Sequence, residues 1–256
     1  MSLFNSQIIA LSIIVFLYGI VIGSFLNVLI YRIPKKENIA TKRSHCMECG
    51  YQLKWYDLIP VFSYLFLRGR CRKCGTRISV QYPIIEAANG ILYVLLFLKY
   101  GLSIETLLYC LLFSALLALS VIDFRTFEIP VGFNIFILIL GIARIVTDYK
   151  NWLLYAIGLV SVSVVLLLIF LISKGRGIGG GDVKLMAATG LLLGWKLNLL
   201  GFVIGCILGA VIHLIRMRVS KEGRTLAMGP YLSTGVAISI FFGDYILNWY
   251  MSFFTA

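Results

Sequence analysis

Apolar residues gather along this chain into eight long stretches, at 7–31, 83–100, 104–122, 130–147, 151–173, 183–195, 197–218 and 228–250. A helix needs about 20 mostly apolar residues to cross the hydrocarbon core of a bilayer, so the pattern predicts an all-α polytopic membrane protein with about eight transmembrane helices. The first stretch is about 25 residues long with no Lys or Arg before it. It is too long and wrongly flanked for a cleaved signal peptide and reads as a first spanning helix. The stretch after Asp182 has only about 13 residues before Trp195-Lys196. That is short of the ~17 expected of a full span and predicts a short helix starting inside the membrane boundary.

One polar interruption stands out. Residues 32–82 carry 11 of the Lys and Arg residues and four of the six cysteines. The chain therefore divides into a first transmembrane helix (1–31), a polar segment (32–82) and a larger helical domain (83–256). A segment of that size buries little core of its own and usually needs a metal or disulfides to fold. Cys46, Cys49, Cys71 and Cys74 form two C-x-x-C-G units with 21 residues between them, a spacing suited to one tetrahedral zinc site, with disulfides as the alternative. Between them, Leu58 to Leu67 is apolar but too short to span, and is expected to pack on the helices or lie in the interface. Cys110 and Cys206 lie inside apolar runs and read as packing residues.

Charge orients the chain. The formal net charge of +12 would suggest nucleic acid in a soluble protein, but in a chain 60% hydrophobic and 13% charged it reads as topogenic charge on cytoplasmic loops. Placing 32–82 in the cytoplasm puts 19 of the 23 basic residues on that side, including Arg125, Lys174, Arg176, Lys184, Arg216, Arg218, Lys221 and Arg224. Only Lys99, Arg144, Lys150 and Lys196 fall opposite, so both termini are expected outside. The four cysteines then face a reducing compartment, which favours thiolate ligation of zinc over disulfides.

The chemistry is expected around Gly175-Arg176-Gly177-Ile178-Gly179-Gly180-Gly181-Asp182-Val183-Lys184. Five glycines in seven positions loosen the backbone beyond what a helix tolerates, so a loop is expected there. An ionisable group at the mouth of an apolar helix usually has a partner or a task. With the orientation above, Asp123 at the end of the third apolar run and Asp182 at the start of the sixth meet at one membrane face. Two carboxylates sharing a site keep one proton between them and offer a base to activate water and an acid to protonate a departing amine. Glycines beside Asp182 let an extended peptide approach by its backbone. The structural alternative is that each aspartate caps a helix or pairs with Arg125 or Lys184.

Other groups compete. Glu128, just before Pro130, could replace Asp123, and Glu86 near the start of the second span could be functional or only hydrogen-bonding. Asp148 and Asp244 fall toward the outer face. His45 adjoins Cys46 but four thiolates already complete a tetrahedron, and His213 reads as a packed residue. Asn27 with Gly23 and Ser24 reads as helix-to-helix packing. The G-x-G-x-x-G at Gly175 to Gly180 follows a membrane helix rather than a strand, which excludes a dinucleotide fold.

Taken together these residues resemble the type IV prepilin peptidases, membrane aspartic proteases of the GxGD type that are often bifunctional N-methyltransferases. The motifs are Gly179-Gly180-Gly181-Asp182-Val183-Lys184, Asp123 with Glu128-Ile129-Pro130, Gly23-Ser24-Phe25-Leu26-Asn27-Val28 with Arg32-Ile33-Pro34, and the paired C-x-x-C units with Trp55-Tyr56-Asp57 and Ile59-Pro60. Tyr82-Pro83 with Glu86 and Gly229-Pro230-Tyr231-Leu232 match further stretches, while Ala227-Met228 departs from the expected Pro-Phe pair. The resemblance implies Asp123 and Asp182 as the catalytic pair, Gly179, Gly181 and Lys184 as the substrate loop, and a cytoplasmic zinc segment. It implies removal, after a glycine, of the short basic leader of type IV prepilins or pseudopilins at the inner or plasma membrane. Methylation of the new N-terminus with S-adenosylmethionine as donor follows from the same resemblance, but the residues themselves disclose no methyl-donor site. A transporter using the two aspartates for protons or ions, and a zinc-stabilised assembly scaffold, are the readings from other classes; no nucleic-acid partner is expected.

Overall fold

The structure, a computed structural model, describes residues 2–39, 41, 43–220 and 226–255. Lys42, Lys221 and Arg224, three of the basic residues used to orient the chain, lie outside the described residues. The described residues form helices joined by short turns, with two isolated antiparallel bridges, His45 to Gln52 and Arg70 to Arg77, as the β structure among them. All eight apolar stretches are helical, but the count of spans differs from the eight expected. Six segments are long and apolar enough to cross a membrane: 6–32, 81–100, 104–126, 149–172, 195–219 and 229–253. The two others, Val131–Thr147 and Gly180–Leu193, have 17 and 14 residues.

The chain forms two compact units, residues 1–118 and 119–256. In the first, α1 (Ser2–Arg32) packs along its partner across the cysteine segment, which carries a short α2 (Phe62–Phe66); that partner is α3 (Gln81–Tyr100), and α4 (Ile104–Thr126) begins in this unit. The polar side chains inside these apolar helices satisfy one another, as they must where no water is available. Asn89 donates to the Gly19 carbonyl at 2.8 Å and accepts from Ser114 at 2.9 Å. Asn27 donates to the Tyr82 carbonyl at 3.1 Å and accepts from Gln81 at 3.3 Å, a packing role. Arg32 closes the end of α1 by donating to the carbonyls of Asn38 and Ile39.

Val61 is the strained point of this unit. Its φ of 61° is a left-handed value that a β-branched residue avoids. Its N–H donates to Glu86 Oε2 at 2.7 Å, so a buried carboxylate on α3 holds the strained residue in place. The apolar stretch that follows is attached to the helices there, and leaves Leu65 and Phe66 exposed, at 64% and 86%.

The second unit holds the end of α4, then α5 (Val131–Thr147), α6 (Trp152–Ser161), α7 (Ser163–Ile172), α8 (Gly180–Leu193), α9 (Trp195–Ser220) and α10 (Gly229–Thr255). The single stretch 151–173 is broken at Val162 into α6 and α7. Helix α8 is apolar on nearly every side because it is surrounded: α5, α6, α7 and α9 all pack on it, and Leu185, Met186 and Leu192 are completely buried. Close approach requires glycine at Gly158, where a Cβ would lie 2.1 Å from the Gly190 carbonyl oxygen. Asn198 then pins the α8 to α9 turn, donating to Met186 O at 3.0 Å and accepting from Thr189 at 2.9 Å. The short length of α8 thus follows from its boundaries, a glycine loop that stops at Gly179 instead of running to Lys184 as expected, since Gly180 and Gly181 already open the helix, and Gly194 at φ 77° after it.

Candidate active site

The end of α4 and the starts of α8 and α10 converge in the second unit. Asp123 occupies the last turn of α4, which closes through the Phe127 N–H onto the Asp123 carbonyl at 2.8 Å, with Phe127 itself at φ 55°. Pro130 then starts α5. Asp182 lies in the first turn of α8, where its N–H bonds the Gly179 carbonyl at 3.1 Å and its carboxylate reaches back to the Gly179 backbone. The two aspartates are 4% and 8% exposed and interact electrostatically. Both line one cavity of about 280 Å³, whose other walls are Phe127, Glu128, Ile129, Gly179, Gly180 and Gly181.

The glycines are fixed by what surrounds them. A Cβ at Gly179 would lie 3.1 Å from Asp182 Oδ2, and one at Gly181 would lie 3.0 Å from the Ile129 Cβ. One wall of the cavity is therefore bare backbone beside a buried carboxylate. Lys184, expected in the same loop, is exposed on α8 and does not line the cavity. Glu128 does line it but is exposed, unlike the two aspartates.

Two contributors went unread in the sequence. The Gly229 N–H, at the start of α10, donates to Asp123 Oδ2 at 2.8 Å, and a Cβ on Gly229 would lie 2.7 Å from that oxygen. Asp123 thus caps a helix other than its own, and the partial positive charge of a helix N-terminus faces its carboxylate. The signal was Gly229-Pro230, a helix start, but nothing in the sequence tied it to a residue 106 positions earlier. Asn134 on α5 is buried with its Nδ2 3.5 Å from the Gly181 carbonyl and no partner for its Oδ1 among the described residues. An amide in an apolar run was its only signal.

The first unit brings the four paired cysteines together. The Sγ atoms of Cys46, Cys49, Cys71 and Cys74 all lie within 4.8 Å of one another, and among the described residues no His, Asp or Glu joins them. Both C-x-x-C-G turns are built alike. Gly50 N–H bonds Cys46 O and Gly75 N–H bonds Cys71 O, with both glycines at positive φ. Cys46 and Cys74 are 3.8 Å apart and Cys49 and Cys71 4.0 Å, far from a disulfide and close to the ~3.8 Å edge of a tetrahedron with 2.3 Å metal–sulfur bonds. The Thr76 hydroxyl and backbone hold the Cys74 thiol down to about 6, and the Cys49 and Glu48 backbones lower Cys46. Cys49 is pushed up to about 11 despite the Tyr51 backbone, through burial and the sulfurs beside it. Four thiolates so close need a cation among them, and the donor set fits one metal ion.

Comparison with known proteins places these features. Residues 17–100 match the bacterial peptidase A24 N-terminal domain, and residues 110–214, which include both aspartates, match the type IV leader peptidase family. A prepilin leader peptidase/N-methyltransferase of Pseudomonas putida is 32% identical over 259 residues, covering 89% of each chain. One from Bacillus subtilis is 32% identical over 93% of this chain and 97% of its own, and one from Burkholderia pseudomallei 34% over 88% and 83%. The chain belongs to the prepilin leader peptidase/N-methyltransferase family. No solved structure matches it. Within this family chain the aspartates sit in the second unit and the cysteines in the first.

Proposed function

We infer that this chain is a multi-pass membrane prepilin peptidase and N-methyltransferase: it removes the leader of type IV prepilins or pseudopilins and methylates the new N-terminus. The observation that carries the peptidase half is the pair of buried carboxylates, Asp123 and Asp182, in one cavity walled on one side by bare glycine backbone. In the proposed reaction one ionised carboxylate takes a proton from water as its oxygen bonds the scissile carbonyl carbon, and the other carboxyl protonates the carbonyl oxygen. Collapse breaks the C–N bond, and the departing nitrogen takes a proton from the dyad. The Gly229 N–H steadies whichever ionised form Asp123 adopts. Gly179 and Gly181 admit the extended leader junction by its backbone, and Lys184, outside the cavity, meets the substrate only at its margin.

The family implies two further groups, and the residues fit the first of them, a metal ion. Cys46, Cys49, Cys71 and Cys74 would hold one zinc ion, which closes the 32–82 segment and takes no part in hydrolysis. S-adenosylmethionine, when bound, supplies an electrophilic methyl group. The charge bias of the loops favours eight helical passes, the two shorter helices included, with both sites on the cytoplasmic side and both termini outside. On that side the basic leader of a prepilin also remains.

Purified protein in lipid nanodiscs, given a full-length prepilin and labelled S-adenosylmethionine, tests the reading by mass spectrometry of the product. The expected product has lost its leader after the glycine and carries one methyl group on its new N-terminus. An intact prepilin after prolonged incubation with well-folded enzyme would remove the peptidase assignment.

A further inference from the structure

The polar segment between α1 and α3 carries an apolar patch that its own fold does not cover. Trp55, Leu58, Ile59, Phe62, Leu65 and Phe66 are each at least 41% exposed, and the last three share one face of α2 at i, i+3 and i+4 spacing. Basic side chains border it. Between Asp57 and Glu86 the chain has five Lys and Arg residues and no acid. Arg72 is paired with Asp57, but among the described residues no carboxylate pairs with Arg68 or Arg70, both exposed.

The patch is fixed at a definite depth. Helix α3 has 20 residues, about 30 Å at ~1.5 Å per residue, which matches the hydrocarbon thickness of a bilayer and puts Gln81 at one membrane boundary. Glu86 is the sixth residue of α3, about 8 Å further in by the same rise, and its carboxylate accepts from Val61, the residue before α2. Interfacial segments lie about 5–10 Å into the boundary between headgroups and acyl chains. The Val61 bond thus draws the start of α2 to that level. Its far end is held as well: Arg68 and Gly69, at φ 51° and 66°, reverse the chain, the Gly69 carbonyl accepts from the Ile78 N–H at 2.8 Å, and the Tyr64 hydroxyl donates to the Ile78 carbonyl at 3.4 Å.

Backbone bonding fits the same medium, because where lipid replaces water a free N–H has nothing to bond. Phe62 donates to the Pro60 carbonyl, Ser63 to Ile59, Leu65 to Val61 and Gly69 to Tyr64, while Val61, ahead of the helix, takes the Glu86 carboxylate. The buried Glu86 therefore does for one loop N–H what water does outside the membrane.

We propose that α2 and the turn after it form an interfacial anchor, with Phe62, Leu65 and Phe66 among the acyl chains just inside one membrane face and Arg68 and Arg70 on the phosphates of anionic phospholipids. The inference rests on α3 crossing the bilayer. Lipid is the occupant that the depth selects, since at that level acyl chains meet any surface the protein leaves open, and the unpaired arginines select a negative headgroup. The cysteine turns before and after the patch are held at the membrane surface by this anchor as well as by α1 and α3.

The test uses the full-length protein in lipid nanodiscs. Phe66→Trp adds one tryptophan to the native four, and its emission is the difference from wild type. That emission should be quenched more by lipids brominated near the headgroup end of the acyl chain than by lipids brominated near the tail, and little by acrylamide in the water. Leu65→Trp should behave alike, and Ile91→Trp, exposed midway along α3, should be quenched most by the tail-brominated lipid. Helicity equal to wild type by circular dichroism shows that each variant has folded. Strong acrylamide quenching at position 66 puts the patch in water and overturns the anchor; shielding from both quenchers puts a protein surface over it and overturns it equally. If Ile91→Trp escapes bromine too, α3 does not span and the membrane reading falls with the anchor. For the headgroups, native mass spectrometry of protein released from mixed phosphatidylglycerol and phosphatidylcholine nanodiscs should find phosphatidylglycerol enriched. The enrichment should fall about fivefold for each of Arg68→Gln and Arg70→Gln and stay unchanged in Lys150→Gln. Equal enrichment in wild type and the Arg68→Gln/Arg70→Gln double variant overturns the headgroup contact.

Discussion

The two units of this protein make a polar site inside an apolar chain in opposite ways. In 119–256, two carboxylates are brought together by helix ends, and bare backbone supplies the rest: the Gly179 to Gly181 wall and the Gly229 N–H. In 1–118, side chains do the organising: four thiolates converge from two turns, and Asp57, Arg72 and Glu86 hold the loops between them. A site built from helix ends is as rigid as the helices, and at Gly229 it leaves no room for a methyl group without a shift. A site built from loops needs a ligand to complete its folding, as metal-dependent segments do. Damage to the first kind should act sharply on chemistry, and damage to the second on folding and on whatever the loops bind.

The sharpest way to break this contrast is at the dyad. Asp123→Asn and Asp182→Asn should each lower leader cleavage by roughly 10²–10⁴-fold while the protein still inserts, because one carboxyl cannot serve as both acid and base. Near-normal cleavage by either stable variant removes that residue from the mechanism. Asp182→Asn should still methylate a synthetic pilin N-terminus already lacking its leader, and equal loss of both activities would mean that the units do not divide the chemistry.

A single methyl group should come next in effect. Gly229→Ala places a Cβ 2.7 Å from Asp123 Oδ2 in the present geometry, so the carboxylate or the start of α10 must shift. Cleavage should fall by about 10²-fold, the usual cost of misplacing a reacting group by an ångström, with donor binding untouched. Wild-type turnover in Gly229→Ala would show that the Gly229 N–H to Asp123 bond is dispensable.

The loop-built site should respond differently. Elemental analysis should find about one zinc per chain, and Cys46→Ser/Cys49→Ser should lose it, with methylation falling at least ~10-fold and cleavage falling less. A wild-type protein carrying two disulfides and no metal would undo both the site and the orientation drawn from charge. The smallest effect is expected from Glu128→Gln, which changes an exposed carboxylate at the cavity margin and should cost cleavage less than about threefold, by the same assay. A loss as large as that of Asp123→Asn would make Glu128 the partner of Asp182.

Much of this was legible in the chain because local chemistry announced it. Eight apolar stretches are eight helical regions, since in a bilayer helix is the one local structure that satisfies its own backbone. Paired C-x-x-C-G turns and a glycine-rich stretch before Asp182 each carry their geometry within a few residues. Which helix surfaces meet was not in the sequence. That Gly229 meets Asp123, that Asn134 approaches Gly181, that Glu86 holds the strained Val61, and that Lys184 turns away from the cavity are all long-range outcomes of which helix packs on which. The burial of α8 is another. Its 14 residues are too few to span by the usual rule, and only its burial among α5, α6, α7 and α9 explains why so short an apolar helix is stable there. Hydropathy reports the medium around each segment, and glycines and prolines report its ends. Contacts between segments depend on shape and on paired polar groups tens of residues apart, and those were settled only when the helices packed.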